Sequence, residues 1–252
     1  MAYDPQIVRT KFIPPLPRKR LLVRTRLAEL LEGVASHKVT ILQAGPGYGK
    51  STVLAVHLSR AGVPSSWYSV NGADTDPRVF MTHLIWSLRA SYPTMGSESL
   101  SLLEENYGPI ARRQAVDLLS NDLLDQITGD IAVVIDDYHA VAKSSEVGEM
   151  VENLINTMPP QVHLVLSTRE RPSFGSLARW RVRGEALEIT EKDLAFTASE
   201  ISELFSGPYQ HELTAAQVRV VLERTEGWII ALEMIWHALR EGLSLPELFT
   251  RT

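Results

Sequence analysis

Apolar positions along the chain fall into two alternating patterns. Short runs at Val39 to Gln43, Ser66 to Val70, Ile131 to Ile135, His163 to Thr168 and Ala186 to Ile189 read as strands. The run Ile131 to Ile135 is apolar at every position, the mark of a strand buried on both faces, as in a parallel sheet. Between the runs, apolar residues recur at i, i+3, i+4 and i+7, the period of a helix with one buried face. Leu27, Leu30, Leu31 and Val34 predict a helix over Arg26 to Ala35. Val53, Leu54, Val56 and Leu58 predict one beginning near Lys50, and Phe80, Leu84 and Leu88 one over Val79 to Ala90. Leu119, Leu123 and Ile127 predict a helix over Val116 to Ile127, and Val147, Met150, Val151, Leu154, Ile155 and Met158 give the cleanest stripe. Residues 1–20, rich in proline, and 92–110, with Pro93, Gly96, Gly108 and Pro109, read as irregular. The alternation predicts an α/β fold: a three-layer parallel sheet.

After about residue 195 the strands stop. Thr197 with Glu200 and Thr214 with Gln217 are capping boxes, each opening a helix. Gly227 precedes a helix over Trp228 to Arg240, with Leu232, Ile235 and Leu239 on one side and Gly242 ending it. Ser244 with Glu247 is a third box, with Pro246 in the first turn. The expected division is a nucleotide-binding domain with an N-terminal arm over 1–195 and a small all-helical domain over 196–252. A helix begun this close to position 252 is expected of a piece of a longer protein.

Between the first strand and its helix lies Ala44-Gly45-Pro46-Gly47-Tyr48-Gly49-Lys50-Ser51, followed by Thr52. It matches the P-loop pattern, with Ala44 in place of the first glycine. Glycines let successive N–H groups curl inward into an anion nest, and the following helix adds its positive end. Lys50 supplies a cation for the β- and γ-phosphates, and Ser51 a hydroxyl for Mg²⁺. A dinucleotide fingerprint starting at Gly45 and Gly47 fails, because Lys50 stands where its third glycine is needed.

Asp136 and Asp137 close the most apolar strand, the Walker B pattern. A carboxylate at the carboxyl end of a parallel strand looks into the same crevice as the P-loop. Asp136 is expected to hold Mg²⁺ through water, since this ion sheds its hydration shell reluctantly. Asp137 either orients or deprotonates an attacking water, or simply turns the chain. His139 either senses the γ-phosphate or caps a loop. A transition-metal site here lacks a His or Cys partner at ligand spacing. Arg169 follows another buried strand, and overhangs the γ-phosphate if that strand lies between those ending at Gln43 and Asp136. Arg171, Arg179, Arg181 and Arg183 are its competitors. The run Arg179 to Arg183 is read as a solvated face with a packed Trp180.

Composition narrows the function classes. With 44% hydrophobic and 22% charged residues, the chain is neither disordered, collagen-like nor a coiled coil. Lys+Arg 25 against Asp+Glu 30 leaves a net charge of −5, which argues against gripping nucleic acid by bulk charge. The absence of cysteine excludes disulfides, thiolate catalysis and cysteine zinc sites, and a cytoplasmic location is expected. No apolar run approaches the roughly 18 residues of a membrane helix. Near the N-terminus Arg9, Lys11, Arg18, Lys19, Arg20, Arg24 and Arg26 face only Asp4, while Pro14, Pro15 and Pro17 do not suit a transit helix. This segment is expected to be an extended basic arm packed on the domain. Neither a hydrolase nucleophile elbow nor an H-E-x-x-H metal motif occurs.

The order of these features is similar to the nucleotide-binding region of the MalT-like, LuxR-type ATP-dependent transcriptional regulators. These are members of the signal-transduction ATPases with numerous domains (STAND). The resemblance is carried by Thr10 to Pro15, Leu22 to Leu27, Pro46 to Thr52, Trp67-Tyr68, Val134 to His139, Ser167 to Arg169, Ala178 to Gly184, Asp193 to Thr197 and Glu226 to Trp228. It implies that Val23 and Arg24 flank the adenine and that Arg169 is the sensor arginine. It also places Gly227, Trp228 and Ile229 where related members carry Gly-x-Pro, whose proline touches the base; Ile229 keeps only an apolar contact there. The implied activity is slow Mg²⁺-dependent ATP hydrolysis that resets a switch, with ADP in the resting form and ATP in an active, self-associating one. The implied partners are a winged-helix domain, a sensor and a DNA-binding effector, with no direct DNA binding by this region. The competing reading is a stand-alone P-loop phosphotransferase acting on a small molecule, with the 169–183 arginines as its lid.

Overall fold

The buried runs form β1 (Val39–Gln43), β2 (Ser65–Ser69), β3 (Ile131–Asp136), β4 (Val162–Thr168) and β5 (Ala186–Thr190). The structure, a computed structural model, describes residues 7–16, 20–106 and 108–250; the expectations for Asp4, Pro17, Arg18 and Lys19 lie outside these. Among the described residues the strands make one parallel sheet, ordered β2-β3-β4-β1-β5. Strand β4 therefore lies between β1 and β3, the condition set for Arg169.

Side chains alternate between the two faces of the sheet. Val39, Ile41, Ile131, Val133, Ile135, Leu164 and Leu166 share one core with α3 (Pro77–Leu88), α4 (Ser97–Glu105), α5 (Pro109–Gln126), α6 (Ser145–Thr157) and α7 (Leu177–Val182). Leu42, Ala132, Val134 and Val165 share the other with α1 (Thr25–Glu32) and α2 (Lys50–Ala61). This is the expected three-layer α/β fold. A third cluster, including Ile201, Leu204, Phe205, Val221, Leu232 and Trp236, is built by α9 (Ala198–Ser206), α10 (Ala215–Thr225) and α11 (Ile229–Arg240), with Leu245 of α12 (Leu245–Thr250). The short α8 (Glu191–Leu194) links β5 to this cluster.

The boxes at Thr197 and Thr214 close as expected: Glu200 N–H donates to Thr197 Oγ1 at 3.3 Å and Thr197 N–H to Glu200 Oε2 at 2.9 Å, and Thr214 pairs likewise with Gln217. At the third position Ser244 N–H donates to Glu247 Oε2 at 2.7 Å.

Three expectations need correction. Residues 92–110 include a helix, α4, whose buried residues are only Ser99 and Leu103, too few for a legible stripe. Helix α5 starts at Pro109, seven residues before the expected Val116, because proline suits the first helical turn. The basic arm is not simply extended: Arg9–Phe12 form a 3₁₀ turn. It is packed on the domain as expected, with the Phe12 ring 6.4 Å from that of Tyr68 and Lys11 Nζ donating to both oxygens of buried Asp74 at 2.5 and 2.6 Å. No helix of the described residues is long and apolar enough to cross a membrane.

Candidate functional site

The glycines of the β1–α2 loop are needed where they stand. Gly47 and Gly49 have φ of +78° and +77°, a region that side-chain-bearing residues rarely adopt. A Cβ on Gly47 would lie 2.5 Å from Ile230 Cγ1 and 2.9 Å from Trp228 Nε1. The loop then feeds α2, whose first residue is Lys50.

Lys50 is 7% exposed, and its Nζ turns back to donate to Ala44 O at 2.8 Å and Gly45 O at 3.0 Å. Burial lowers its pKa, opposed by the Asp137 and Asp136 carboxylates. Ser51 Oγ donates to Asp136 Oδ1 at 2.8 Å, so the hydroxyl and carboxylate expected at Mg²⁺ already touch. Asp136 is 5% exposed, and burial raises its pKa against the hydrogen bonds it receives. Asp137 takes φ +57°, with its Oδ1 3.8 Å from His139 Nδ1, beyond hydrogen-bond reach, while the Asp137 N–H donates to Asp136 Oδ1 at 3.0 Å. That left-handed turn swings Asp137 into the adjoining cavity. Burial, then the Arg169 charge, lowers the pKa of His139.

The cavity has a volume of about 640 Å³. Val23, Arg24, the loop from Pro46 through Ser51, Thr52, Asp137, Arg169 and Ile229 all line it. Gly45, Asp136, His139 and Trp228 do not: Asp136 stands behind Ser51, and Trp228 covers the outside of the loop, its Nε1 donating to Pro46 O at 3.0 Å. Of the five arginines from 169 to 183, only Arg169 reaches the cavity. Arg179 donates to Asn156 Oδ1 and Arg181 pairs with Glu188, so neither forms a lid.

Arg24 has a further role. Its Nη1 donates to Leu194 O at 2.6 Å and its guanidinium lies 4.1 Å from the centre of the Phe196 ring. Burial brings its pKa down to about 10, although Glu200 opposes the shift. The arginine thus joins the segment before α1 to the link between sheet and helical cluster. Phe196 N–H in turn donates to Gly227 O at 2.9 Å. Gly227 has φ +76°, and a Cβ there would lie 2.4 Å from Phe196 O, a backbone atom unable to swing aside. Gly227→Ala is therefore expected to lower stability by about 1–3 kcal/mol, read as a fall in melting temperature; an unchanged melt would contradict the close approach.

Several lining residues escaped the sequence reading. Of the four apolar residues that predict the helix after the loop, Leu54 and Leu58 are buried in the core, while Val53 and Val56 line the cavity. Ile230, one residue beyond the expected Ile229, is the side chain over Gly47. Glu191 accepts the Gly45 N–H at 3.0 Å, a contact that only the pairing of β5 with β1 reveals.

No protein-family profile matches the chain. Curated relatives do. The chain is 30% identical over 248 residues to the serine/threonine-protein kinase PknK of Mycobacterium tuberculosis, covering 95% of this chain and 21% of that protein. It is 26% identical over 242 residues to the HTH-type transcriptional regulator MalT of Yersinia enterocolitica, covering 96% of this chain and 26% of that one. The chain thus spans between a fifth and about a quarter of the length of these relatives. Among solved structures, a STAND protein with a tetratricopeptide repeat sensor from Pyrococcus horikoshii superposes with a TM-score of 0.61 at 17% identity, over 88% of this chain and 31% of that one. A Walker-type ATPase of Pyrococcus abyssi does so with a TM-score of 0.59 at 14% identity, over 95% and 73%. These structures share the fold, and the MalT relatives bear out the resemblance read from the motifs.

Proposed function

Proceeding from this resemblance to the nucleotide-binding region of MalT-like regulators, we propose that the chain is an ATP/ADP-binding switch module of a multidomain signal-transduction ATPase that controls transcription. One observation carries the reading. The phosphate loop, the Val23-Arg24 segment, Arg169 and the first turn of α11 converge on one cavity, so a bound nucleotide would touch both the sheet and the helical cluster. We read 1–195 and 196–252 as the two units so coupled. The wider partners would be a winged-helix domain, a sensor and a DNA-binding effector outside this chain, with self-association in the triphosphate form.

The residues suit adenine nucleotide and Mg²⁺. Val23, Val53, Val56 and Ile229 offer apolar walls for a base, and Lys50 with the loop amides takes the β- and γ-phosphates. Ser51, and Asp136 through water, would hold Mg²⁺, which supplies charge neutralisation on the phosphates. The touching hydroxyl and carboxylate are the donor set that ion uses, and the nucleotide would complete it. Asp137, which lines the cavity, would orient or deprotonate water, and Arg169, which also lines it, would meet the γ-phosphate, the one group distinguishing ATP from ADP. His139, outside the cavity wall and 3.8 Å from Asp137, would act through that carboxylate. A difference confined to one phosphate shifts a conformational equilibrium only through groups that feel it.

The test is Asp136→Asn. It should leave ADP affinity within about twofold while slowing Mg²⁺-dependent ATP turnover by about 100-fold; equal loss of both would refute the metal role. Burial raises the Asp136 pKa, and a coordinated Mg²⁺ would oppose that rise. The same shift favours folding below the unfolded pKa, and that contribution is lost as pH rises through the folded value. Rapid turnover with no nucleotide-dependent change in shape or assembly would count against a switch.

A further inference from the structure

The carboxylate of Glu191 lies against the anion-binding loop. Parallel pairing of β1 with β5 sets Gln43 opposite Thr190, so the residues after the two strands emerge side by side. A capping box, with Thr190 N–H and Oγ1 both donating to Asp193 Oδ2 at 2.7 Å, fixes the start of α8 and with it the aim of Glu191. Glu191 Oε2 accepts the Gly45 N–H at 3.0 Å. Burial, then the neighbouring Glu191 carboxylate, raises the pKa of Tyr48. One carboxylate thus holds the loop's first glycine and acts on its tyrosine. At the other end of α8, Leu194 O and Ala195 O accept from Arg24 and Arg26, at 2.6 and 3.1 Å.

An anion at this place has two opposed effects. Its hydrogen bond holds the loop in shape and ties it to the link leading to the helical cluster. Its charge acts on Lys50 and repels any polyphosphate that Lys50 attracts, and repulsion grows with the charge of the ligand. We propose that Glu191 is a positioning residue of the nucleotide site, whose hydrogen bond shapes the phosphate loop and whose charge narrows the advantage of ATP over ADP. This rests on the nucleotide reading of the loop.

The two effects separate in two variants. In Glu191→Gln the side-chain oxygen still accepts from Gly45 but the charge is gone; in Glu191→Ala both are lost. Calorimetric titration of the full chain with MgADP and MgATP, at low and high salt, reads the difference. Glu191→Gln should keep its melting temperature and raise the ratio of ATP to ADP affinity by about threefold, a gain that shrinks as salt screens the charge. Glu191→Ala should bind both nucleotides more weakly than Glu191→Gln. An unchanged ratio in Glu191→Gln would overturn the role of the charge, and equal affinities in the two variants would overturn the positioning. A parent chain that binds neither nucleotide would instead defeat the reading of the site, and this proposal with it.

Discussion

Lys50→Ala should lower affinity for ADP and ATP by at least about 100-fold, because charge-assisted hydrogen bonds are worth about 1.5–3 kcal/mol each and the proposed site gives Lys50 two phosphates to meet. The geometry explains why no neighbour substitutes. Lys50 is the first residue of α2, and its Nζ rests inside the curl of the loop on the carbonyls of Ala44 and Gly45. Arg169 follows the end of β4, lines the same cavity and is exposed. Calorimetry with each nucleotide measures the loss, and binding unchanged within experimental error would refute the site. A melt of the variant without nucleotide separates lost binding from lost folding. If Lys50 serves the ligand, the variant melts near the parent; if the ligand is a structural core, it unfolds.

Asp74→Ala should lower the stability of the chain by about 3–5 kcal/mol, the usual consequence of removing one partner of a buried ion pair. Asp74 is fully buried, yet it accepts from Lys11 Nζ through both oxygens and from Asn71 N–H at 2.8 Å. Its loss would leave the Lys11 ammonium beside the Tyr68 ring, 6.0 Å from the ring centre, with no carboxylate in place. The effect should reach the site, since β2 lies beside β3 and Val70 N–H donates to Asp136 O at 2.9 Å. Urea unfolding followed by circular dichroism gives the value. A loss below about 1 kcal/mol would show that the basic segment is only loosely seated. Asp74→Asn, which keeps an acceptor for Asn71 but not the charge, should fall between alanine and the parent.

The phosphate loop, the acidic strand end, the buried strands and the capping boxes were legible because each obeys a local rule. A left-handed φ requires glycine, a strand covered on both faces requires apolar residues throughout, and a helix start requires an acceptor three residues ahead of its partner. What stayed hidden depends on neighbours distant in sequence. Ser99 of α4 is buried because its Oγ donates to Ala115 O at 2.9 Å, and a serine adds nothing to an apolar stripe. Val53 and Val56 have the same period as Leu54 and Leu58; only the position of α1 and the helical cluster decides which of them face a cavity. Glu191 looks like any charged residue after a strand until β5 is known to lie beside β1. Arg24, expected at the base, lines the cavity but also has a partner at Leu194, 170 residues away.

The bond between Phe196 N–H and Gly227 O closes a ring in the chain, so that residues 197–226 depart from and come back to a single point. Whatever happens to the length of that excursion, the exit at Trp228 stays fixed over Pro46. Leu204 and Tyr209, inside that ring, return to the cavity wall, so added residues would bypass those contacts only where they enter after Tyr209, on the approach to α10.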